Sequence, residues 1–384
     1  MAIFNQTCPV WMEEGVAGKI GEKALEYHAK KAFCICDKGI SVCGIASVIV
    51  NNLKDAGLEV YLYDEVLPDA PDTMINQIGK IAREYEADLV VGIGGGSSLD
   101  AAKAVTILLD NPGEIKDYYM SAGVVFKQEI PLFCIPTAAG TGSEATSICV
   151  VHDMSTNIKE TVIKGATLAI VDPDLMVGLP PYITAITAFD AMAHAFEAYT
   201  SQGHNPHSDV LALCAIRLIT ENIELAYENG TNMSARAALA QASTFAGMAF
   251  NDSMVHIGHA MAHELGLRFH MPHGLACALT LPTLLRYFGN VIPDRLFDIV
   301  EAMGIEAPAV ATADEAAAMA EIYIKMMMKK LKIASLKEQG YTLEEVVDCA
   351  ADAYNKAPFM MFAPSETGIP ELAGFLKDMY ERYV

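Results

Sequence analysis

The first half of the sequence alternates short runs of β-branched and other apolar residues with stretches of helical periodicity. Alternation of this kind predicts a parallel sheet whose strands are joined by crossover helices, the α/β class. The predicted strands cover residues 32–36, 60–63, 89–93, 132–135 and 168–171. Helical patterns fill the gaps between them, for example at residues 41–56 and 73–85.

The strand pattern stops at about Leu179, and long segments rich in Ala, Met and Leu follow, beginning at residues 183–199. Their periodicity of about 3.6 residues predicts a second half that is entirely helical. The junction VDPDLMVGLPPY contains the helix breakers Pro173, Pro180 and Pro181. We therefore predict two domains, an α/β domain at residues 1–178 and an all-α domain at residues 179–384.

The charge balance and the apolar runs exclude several classes of partner. The chain has 48 acidic and 26 basic residues, a net charge of -22, and no run of basic residues, so nucleic acids and anionic membranes are not expected partners. No apolar run approaches the roughly 18 residues that a bilayer span needs. The first residues lack the pattern of a secretory signal, and nine cysteines are an odd count, so we expect a cytoplasmic protein with buried thiols.

A glycine-rich turn follows the apolar run that ends near Val91. In GIGGGSSLDAAKA the glycines precede a helix that we expect to open at about Ser98. Glycines between a strand and a helix let backbone N–H groups approach a phosphate, and the helix N-terminus adds its positive dipole end. The pattern therefore favours a pyrophosphate site, and the alternative is a tight turn in which Ser97 is the N-cap.

Two further segments fit a nucleotide site. Asp37 ends the first predicted strand and could accept hydrogen bonds from a ribose, or it could simply cap a loop. If it binds the ribose, its carboxylate would repel a 2′-phosphate and so favour NAD over NADP. The segment PTAAGTGSEAT, residues 136–146, either lines the same groove or is a flexible loop.

Six of the ten histidines fall in two short segments of the second half. Asp190 and His194 are four residues apart and share one helix face, as do His259 and His263. Pro272 is expected to end that helix, so that a loop residue, His273, could fold back toward them. One carboxylate with three imidazoles suits a divalent iron or zinc ion. His256 and His270 are interpreted as ordinary structural or solvated side chains.

Taken together, the motifs resemble those of the iron-dependent alcohol dehydrogenases, relatives of glycerol dehydrogenase and dehydroquinate synthase. The resemblance spans nearly the whole chain and includes GGGSSLDAAKA, PTAAGTGSEAT, VDPDLMVGLPP, TAFDAMAHAFEAY, GHAMAHELG, MPHG and DAYNKAP. It implies an N-terminal Rossmann-like dinucleotide-binding domain, a helical metal-binding domain and catalysis in the cleft between them. Glu264 departs from the pattern, because the family usually has Pro there.

The resemblance also implies roles for individual residues. Asp190, His194, His259 and His273 would be the metal ligands, and His263 would relay protons as the catalytic residue. With Gly94 from the glycine turn, the expected cofactor-binding residues are Asp37, Gly94, Gly95, Gly96, Ser97, Asp100, Thr137, Thr141, Ser143 and Lys159.

These observations predict a metal-dependent, NAD(H)-linked dehydrogenase that interconverts a small primary alcohol or diol and its aldehyde. Fe²⁺ is the expected metal and Zn²⁺ the alternative. The residues expected to border the substrate pocket are apolar, which favours a small unbranched substrate: Ile148, Val151, Phe250 and Met254.

Other functions stay open at this level. Within the superfamily the alternatives are a zinc-dependent polyol dehydrogenase of the glycerol type and a hydroxyacid–oxoacid transhydrogenase. A non-catalytic nucleotide-binding sensor is a more remote hypothesis. The resemblance further implies a homodimer or a larger homo-oligomer.

Overall fold

Parallel pairing dominates the strands of the chain, which a computed structural model describes over residues 4–308 and 310–383. The strands are β1 (Val10–Met12), β2 (Lys31–Ile35), β3 (Glu59–Tyr63), β4 (Leu89–Gly94), β5 (Leu132–Pro136), β6 (Ile148–Asp153), β7 (Ile158–Ile163) and β8 (Leu168–Val171). Six of them form a parallel sheet in the order β1-β8-β5-β4-β2-β3, and β6 and β7 form a separate antiparallel pair. All five predicted strands are confirmed, whereas β1, β6 and β7 were not predicted.

Helices cover both faces of the sheet, which explains the apolar character of its strands. They are α1 (Ile20–Glu26), α2 (Lys38–Val42), α3 (Ile45–Asp55), α4 (Asp72–Tyr85) and α5 (Gly96–Asp110). Successive residues of a strand point to opposite faces. Phe33 and Ile35 accordingly belong to one buried core with α4 and α5, and Cys34 to another with α1 and α3.

One predicted helix is broken in two. The pattern at residues 41–56 predicted a continuous helix, but α2 ends at Val42 and α3 begins at Ile45. Gly44 between them has a φ of 88°, a left-handed conformation that interrupts the helix.

The strand order places a topological switch point at the carboxyl ends of β2 and β4. From β2 the chain crosses to β3 on one side, and from β4 it crosses to β5 on the other. Open α/β sheets bind ligands in the crevice at such a point. Asp37 follows β2 and the glycine-rich turn follows β4, so both lie at this crevice.

The remainder of the chain is helical. Its helices are α6 (Pro181–Thr200), α7 (Pro206–Glu228), α8 (Met233–Ser253), α9 (Ile257–Phe269), α10 (His273–Val291), α11 (Pro293–Ala302), α12 (Ala313–Lys330), α13 (Leu343–Val347), α14 (Cys349–Lys356) and α15 (Ile369–Arg382). The predicted combination of an α/β part and an all-α part is thus confirmed. No helix within the described ranges combines the length and apolarity needed to cross a membrane.

Two compact units divide the described residues. The sheet unit contains Gln6–Ala138 and Gly142–Val177, and the helical unit contains the rest, including the short segment Ala139–Thr141. In the helical unit α6 packs against α7, α8 and α10. Most of α6 is buried, Asp190, His194 and Glu197 included, although these three side chains are polar. A buried helix that carries three ionisable groups requires partners for them.

Candidate cofactor turn and metal centre

The glycine-rich turn joins β4 directly to α5. Gly94 has a φ of 144°, and a Cβ at this position would lie 2.8 Å from the Ser98 side chain, so the turn requires glycine. Gly95 is the N-cap, α5 begins at Gly96, and among the described residues no side chain caps this helix. The first amide groups and the positive dipole end of α5 are therefore available to an anion. The alternative with Ser97 as the N-cap is wrong, because Ser97 lies inside the first turn.

Asp37 combines the two roles that its sequence position allowed. Its Oδ1 accepts hydrogen bonds from the backbone N–H groups of Gly39 and Ile40, at 2.7 and 3.2 Å, and so caps α2. Its Oδ2 lies 3.6 Å from the position that a Cβ of Gly94 would occupy. One oxygen therefore fixes the carboxylate while the other lies beside the glycine turn.

Two further predicted cofactor-binding residues, Ser97 and Lys159, are linked through Asp69, which the sequence analysis did not indicate. Lys159 on β7 donates a hydrogen bond of 2.8 Å to Asp69 Oδ1. The backbone N–H of Asp69 donates to Ser97 Oγ at 3.1 Å. The hairpin formed by β6 and β7 is thus tied to the glycine turn.

Asp100 and Ser143 belong to a buried network that centres on Lys103. Ser143 Oγ donates to Asp100 Oδ1 at 2.7 Å, and Lys103 Nζ donates to Ser143 Oγ at 2.8 Å. Lys103 Nζ also donates to Thr146 Oγ1 at 3.2 Å and to the Ile148 carbonyl at 2.8 Å. Burial raises the pKa of Asp100, although the Lys103 ammonium opposes it. The network links α5, the loop after β5 and the hairpin. Asp100 therefore stabilises the arrangement of these segments next to the glycine turn.

The two predicted threonines differ in position. The backbone N–H of Thr137 donates to the Gly94 carbonyl at 3.1 Å, which places it at the end of β4. Thr141 lies in the segment Ala139–Thr141, which belongs to the helical unit. The structure therefore brings Thr137, but not Thr141, together with the glycine turn inside the sheet unit.

The histidine cluster is built by three helices of the helical unit. Asp190 and His194 lie one turn apart on α6, His259 lies on α9, and His273 is the first residue of α10. Measured from Asp190 Oδ1, the nearest imidazole nitrogens are His273 Nε2 at 3.5 Å, His194 Nδ1 at 3.7 Å and His259 Nε2 at 3.8 Å. The four predicted ligands therefore converge on one carboxylate oxygen.

Close helix approach makes this convergence possible. A Cβ on Gly274 would lie 2.3 Å from the Ile186 carbonyl oxygen, so the backbones of α10 and α6 are in direct contact there. His273, the neighbour of Gly274, is thereby held beside Asp190. His273 was expected in a loop after the helix, and this expectation is wrong, because α9 already ends at Phe269 and Pro272 is the N-cap of α10.

Atoms of this cluster fit a cation. Asp190 Oδ1 and His194 Nδ1 are buried and make no hydrogen bond with any residue in the described part of the chain. Buried polar atoms without a hydrogen bond are costly unless an ion or water serves them. One carboxylate and imidazole nitrogens are ligands that divalent iron and zinc accept.

Burial and neighbouring charges set the protonation states. Burial would raise the pKa of Asp190, but His194 and His273 outweigh it and hold the pKa of that carboxyl well below its usual range. Burial lowers the pKa of His194 to about 3. At neutral pH the pair is thus a carboxylate and a neutral imidazole, the forms that ligate a metal.

Glu197 is the functional residue that the sequence analysis missed. Its carboxylate accepts hydrogen bonds from His259 Nδ1 and from the backbone N–H groups of Gly258 and His259. Burial would raise the pKa of Glu197, but His259 and His256 outweigh it and lower the pKa to about 2. A carboxylate that holds Nδ1–H leaves the Nε2 lone pair of His259 directed at the cluster. The signal available in the sequence was an acidic residue three positions after His194 on an apolar helix.

His256 extends this network and is a buried structural side chain, one of the two alternatives that the sequence left open. It is fully buried, its Nδ1 lies 3.4 Å from Glu197 Oε1, and its Nε2 lies 3.0 Å from Thr200 Oγ1. His270 is exposed, as a solvated residue would be, and Glu264 accepts a 3.0 Å hydrogen bond from Lys356.

His263 and Phe250 border the cluster. The half-buried His263 ring has its centroid 5.3 Å from that of His273 and 6.2 Å from that of His259. The Phe250 ring stacks on His194 with centroids 4.3 Å apart, and Met254 follows at the end of α8. The Phe250 ring therefore gives the cluster an apolar neighbour.

The other two predicted pocket residues lie on β6 of the sheet unit. Ile148 is partly exposed, but Val151 is fully buried in the core formed with α4 and α5. Val151 therefore packs as a core residue of the sheet unit.

The expectation that all nine cysteines are buried thiols is also wrong. Seven are buried, whereas Cys43 is exposed and Cys214 is partly exposed. One buried thiol, Cys277, lies on α10 one turn after His273 and joins the cluster. Asp190, His259, His273 and Cys277 each offer a ligand atom within 4.8 Å of the others.

Comparison with known sequences identifies the class of protein. The profile of the family described as iron-containing alcohol dehydrogenase matches residues 9–173. The profile of the Fe-containing alcohol dehydrogenase family, C-terminal, matches residues 184–368. The chain belongs to the iron-containing alcohol dehydrogenase family.

Individual relatives agree with this assignment. The chain is 33% identical to NAD-dependent methanol dehydrogenase of Bacillus methanolicus over 88% of its length and 90% of the relative. It is 38% identical to 1,3-propanediol dehydrogenase of Klebsiella pneumoniae over 77% of its length and 78% of the relative. A crystal structure of 1,3-propanediol oxidoreductase superposes on this chain with a TM-score of 0.93 at 32% identity. The match covers 98% of this chain and 100% of the other.

Proposed function

We propose that this protein catalyses the reversible, NAD-linked oxidation of a small primary alcohol or diol to its aldehyde at a divalent metal held by Asp190, His194, His259 and His273. The observation that carries the proposal is the convergence of three imidazoles on one buried carboxylate oxygen, with distances of 3.5 to 3.8 Å. Fe²⁺ is the metal that we propose, in line with the family, and Zn²⁺ fits the same ligands.

The chemistry divides between the cofactors and the protein. When bound, the metal supplies Lewis-acid stabilisation of the negative charge that develops on the substrate oxygen, and NAD supplies the hydride acceptor. Asp190 contributes a negative charge that offsets the charge of a cation. Glu197 keeps the proton of His259 on Nδ1, so that Nε2 stays a lone-pair donor throughout the reaction.

Oxidation of an alcohol also releases a proton, and we assign its transfer to His263. Its half-buried ring lies beside both His259 and His273, whereas His194 is buried. A group at the boundary between a buried cluster and solvent can exchange a proton with water. His263 is therefore the proposed catalytic residue.

For the cofactor we propose binding at the glycine turn of the sheet unit. The first amides of α5 at Gly95, Gly96 and Ser97 would hold the pyrophosphate. The Asp37 carboxylate beside Gly94 would accept the ribose hydroxyls, and its charge favours NAD over NADP. We further assign residues 1–178 to this dinucleotide-binding function and residues 179–384 to metal binding and catalysis.

A small primary alcohol or diol is the proposed substrate for two reasons. Methanol and 1,3-propanediol appear in the names of the relatives compared above. The Phe250 ring packed on His194 presents an apolar surface next to the ligands, which suits a short carbon chain better than a polyhydroxylated sugar.

Location and assembly complete the proposal. We propose a cytoplasmic enzyme that forms a homodimer or larger homo-oligomer. The edge strand β1, which pairs with β8 on one side, is a candidate for pairing with a second copy.

The test combines metal analysis with turnover. Protein purified without oxygen is analysed for iron and zinc, and NADH oxidation is followed with short aldehydes before chelation, after chelation and after metal add-back. We expect close to one metal per chain and activity that follows the metal. Asp190→Asn should lose both, while Asp294→Asn, an exposed acid on α11, should keep both. Turnover by metal-free protein, or by metal-free Asp190→Asn, would contradict the proposal.

A further inference from the structure

Cys277 lies beside two histidines of the cluster, although a thiol is no part of the ligand set proposed above. It follows His273 by four residues on α10, so both side chains project from the same helix face. Its Sγ lies 3.7 Å from His273 Nε2 and 3.8 Å from His259 Nε2. The thiol therefore faces the same nitrogens that would face the metal.

The distances within this group lie inside, or at most about 0.2 Å above, the range expected around a metal ion. Ligand bonds of about 2.0–2.1 Å to N and O and about 2.3 Å to S, at tetrahedral angles, separate the donor atoms by about 3.3 to 3.6 Å. From Asp190 Oδ1 to His273 Nε2 and His259 Nε2 the separations are 3.5 and 3.8 Å. The two separations from Cys277 Sγ, 3.7 and 3.8 Å, lie in the same range. Cys277 Sγ is thus about as far from the two imidazole nitrogens as the Asp190 oxygen is.

A second observation is a buried acceptor atom that no described residue serves. Asp190 is 3% exposed, and its Oδ1 makes no hydrogen bond with any residue in the described ranges. The Nδ1 of His259 is hydrogen-bonded to Glu197, so its Nε2 is the ring nitrogen that faces Asp190 and Cys277. A cation bound between these side chains would serve the Asp190 oxygen.

We propose that Cys277 is a metal ligand in this protein, as a thiolate that joins Asp190, His194, His259 and His273. This inference rests on the metal site of the proposed function and adds to it the identity of a further ligand. Coordination forms a sulfur–metal bond and breaks the S–H bond, the proton passes to solvent, and no electron is transferred. A thiolate is a soft ligand, so its presence shifts the preference of the site toward Zn²⁺ and Co²⁺ and away from hard cations such as Mn²⁺.

The experiment uses Co²⁺ as a spectroscopic probe in the full-length protein. Metal-free protein is titrated with Co²⁺ and followed in the visible range, which reports the cobalt site, and in the near ultraviolet, where thiolate-to-cobalt charge transfer absorbs. Wild type is compared with Cys277→Ser and Cys277→Ala. Cys349→Ser, which changes a buried thiol on α14 of the same unit, is the matched control. Asp190→Asn tests the metal site itself, and circular dichroism verifies that each variant is folded.

We expect wild type and Cys349→Ser to bind one Co²⁺ with a charge-transfer band. Both Cys277 variants should bind Co²⁺ without that band. Their Zn²⁺ affinity should fall by at least roughly tenfold. This is the lower end of the loss that follows replacement of a residue hydrogen-bonded to a metal ligand. Their Mn²⁺ affinity should change less. Calorimetry in buffers of different ionisation enthalpy should show one proton fewer released per Zn²⁺ than in wild type.

Two other results would overturn the inference in different ways. If wild type binds one Co²⁺ with visible bands but no charge-transfer band, Cys277 is not a ligand and the proposed function stands. If wild type binds no Co²⁺, Zn²⁺ or Fe²⁺ at all, both the thiolate ligand and the metal-dependent function are wrong.

Discussion

Replacing Glu197 by Gln would remove one fully buried negative charge while keeping the size of the side chain. The carboxylate accepts from His259 Nδ1 and from the backbone N–H groups of Gly258 and His259. The amide of Gln has only one acceptor oxygen, and its NH₂ group would face a donor. We therefore expect both a less stable helical unit and a His259 ring whose Nε2 is no longer held toward the metal ligands.

The magnitude follows from the hydrogen bonds of the carboxylate and from the shift of its pKa, which have a common origin. Hydrogen bonds to a charged group contribute roughly 1.5 to 3 kcal/mol each. The pKa of Glu197 falls from 4.5 to about 2, and this shift corresponds to roughly 3 kcal/mol in favour of the charged form. Relief of the burial penalty of the carboxylate offsets part of the loss. We expect the free energy of unfolding to fall by about 2 to 3 kcal/mol, and metal affinity to fall by roughly 10- to 100-fold.

The assay separates charge from packing by its pH dependence. Because the pKa of Glu197 is lower in the folded protein, its stabilisation is present above pH 4.5 and is lost as the pH falls toward 2. The difference in stability between metal-free wild type and Glu197→Gln should therefore shrink across that range in chemical denaturation curves. Glu221→Gln, an exposed position on α7, serves as the control and should match wild type. Undiminished metal affinity, together with a stability difference that does not change with pH, would refute the reasoning.

Three further predictions concern packing and the cofactor turn. Gly274→Ala places a Cβ 2.3 Å from a backbone oxygen of α6, so we expect the free energy of unfolding, measured by thermal denaturation, to fall by about 1 to 3 kcal/mol. Gly178→Ala, whose Cβ would have no atom within 4 Å, should have little effect. Lys103→Met removes the buried cation of the network next to the glycine turn. The free energy of unfolding should fall by roughly 3 kcal/mol, and NADH binding, measured by fluorescence, should weaken. Asp37→Asn keeps the helix cap but removes the charge, so the ratio of NADP to NAD activity should rise; equal use of both cofactors by wild type would contradict the role of this carboxylate.

Local sequence signals were sufficient for the elements that make the scaffold. Apolar runs of four or five residues predicted these strands, because strands covered by helices on both faces are apolar throughout. The hairpin of β6 and β7 was not predicted, since its strands mix polar and apolar residues and only four of its twelve positions are buried. The break at Gly44 was missed for a related reason, because the apolar periodicity continues across it.

Spacing along one helix also gave part of the metal centre. Asp190 with His194, and His259 with His263, share helix faces by their i,i+4 separation alone. The sequence could not decide which of these groups meet, because His259 is brought to Asp190 by the packing of separate helices. The roles of individual histidines came from the resemblance of the motifs to a known family.

Contacts between residues far apart in the chain were decided only by the tertiary structure. Glu197 holds His259 across 62 positions, and Lys103 holds Ser143 across 40. From the sequence, Cys277 was interpreted as an ordinary buried thiol. The structure shows that the start of α10 lies against α6, and this packing places Cys277 in the cluster. The sequence by itself determined helices, strands and the chemistry that each could carry, because those depend on neighbours within a few residues. Which side chains share a proton or a cation depends on how helices pack, and the close contact at Gly274 has no local signature beyond a glycine.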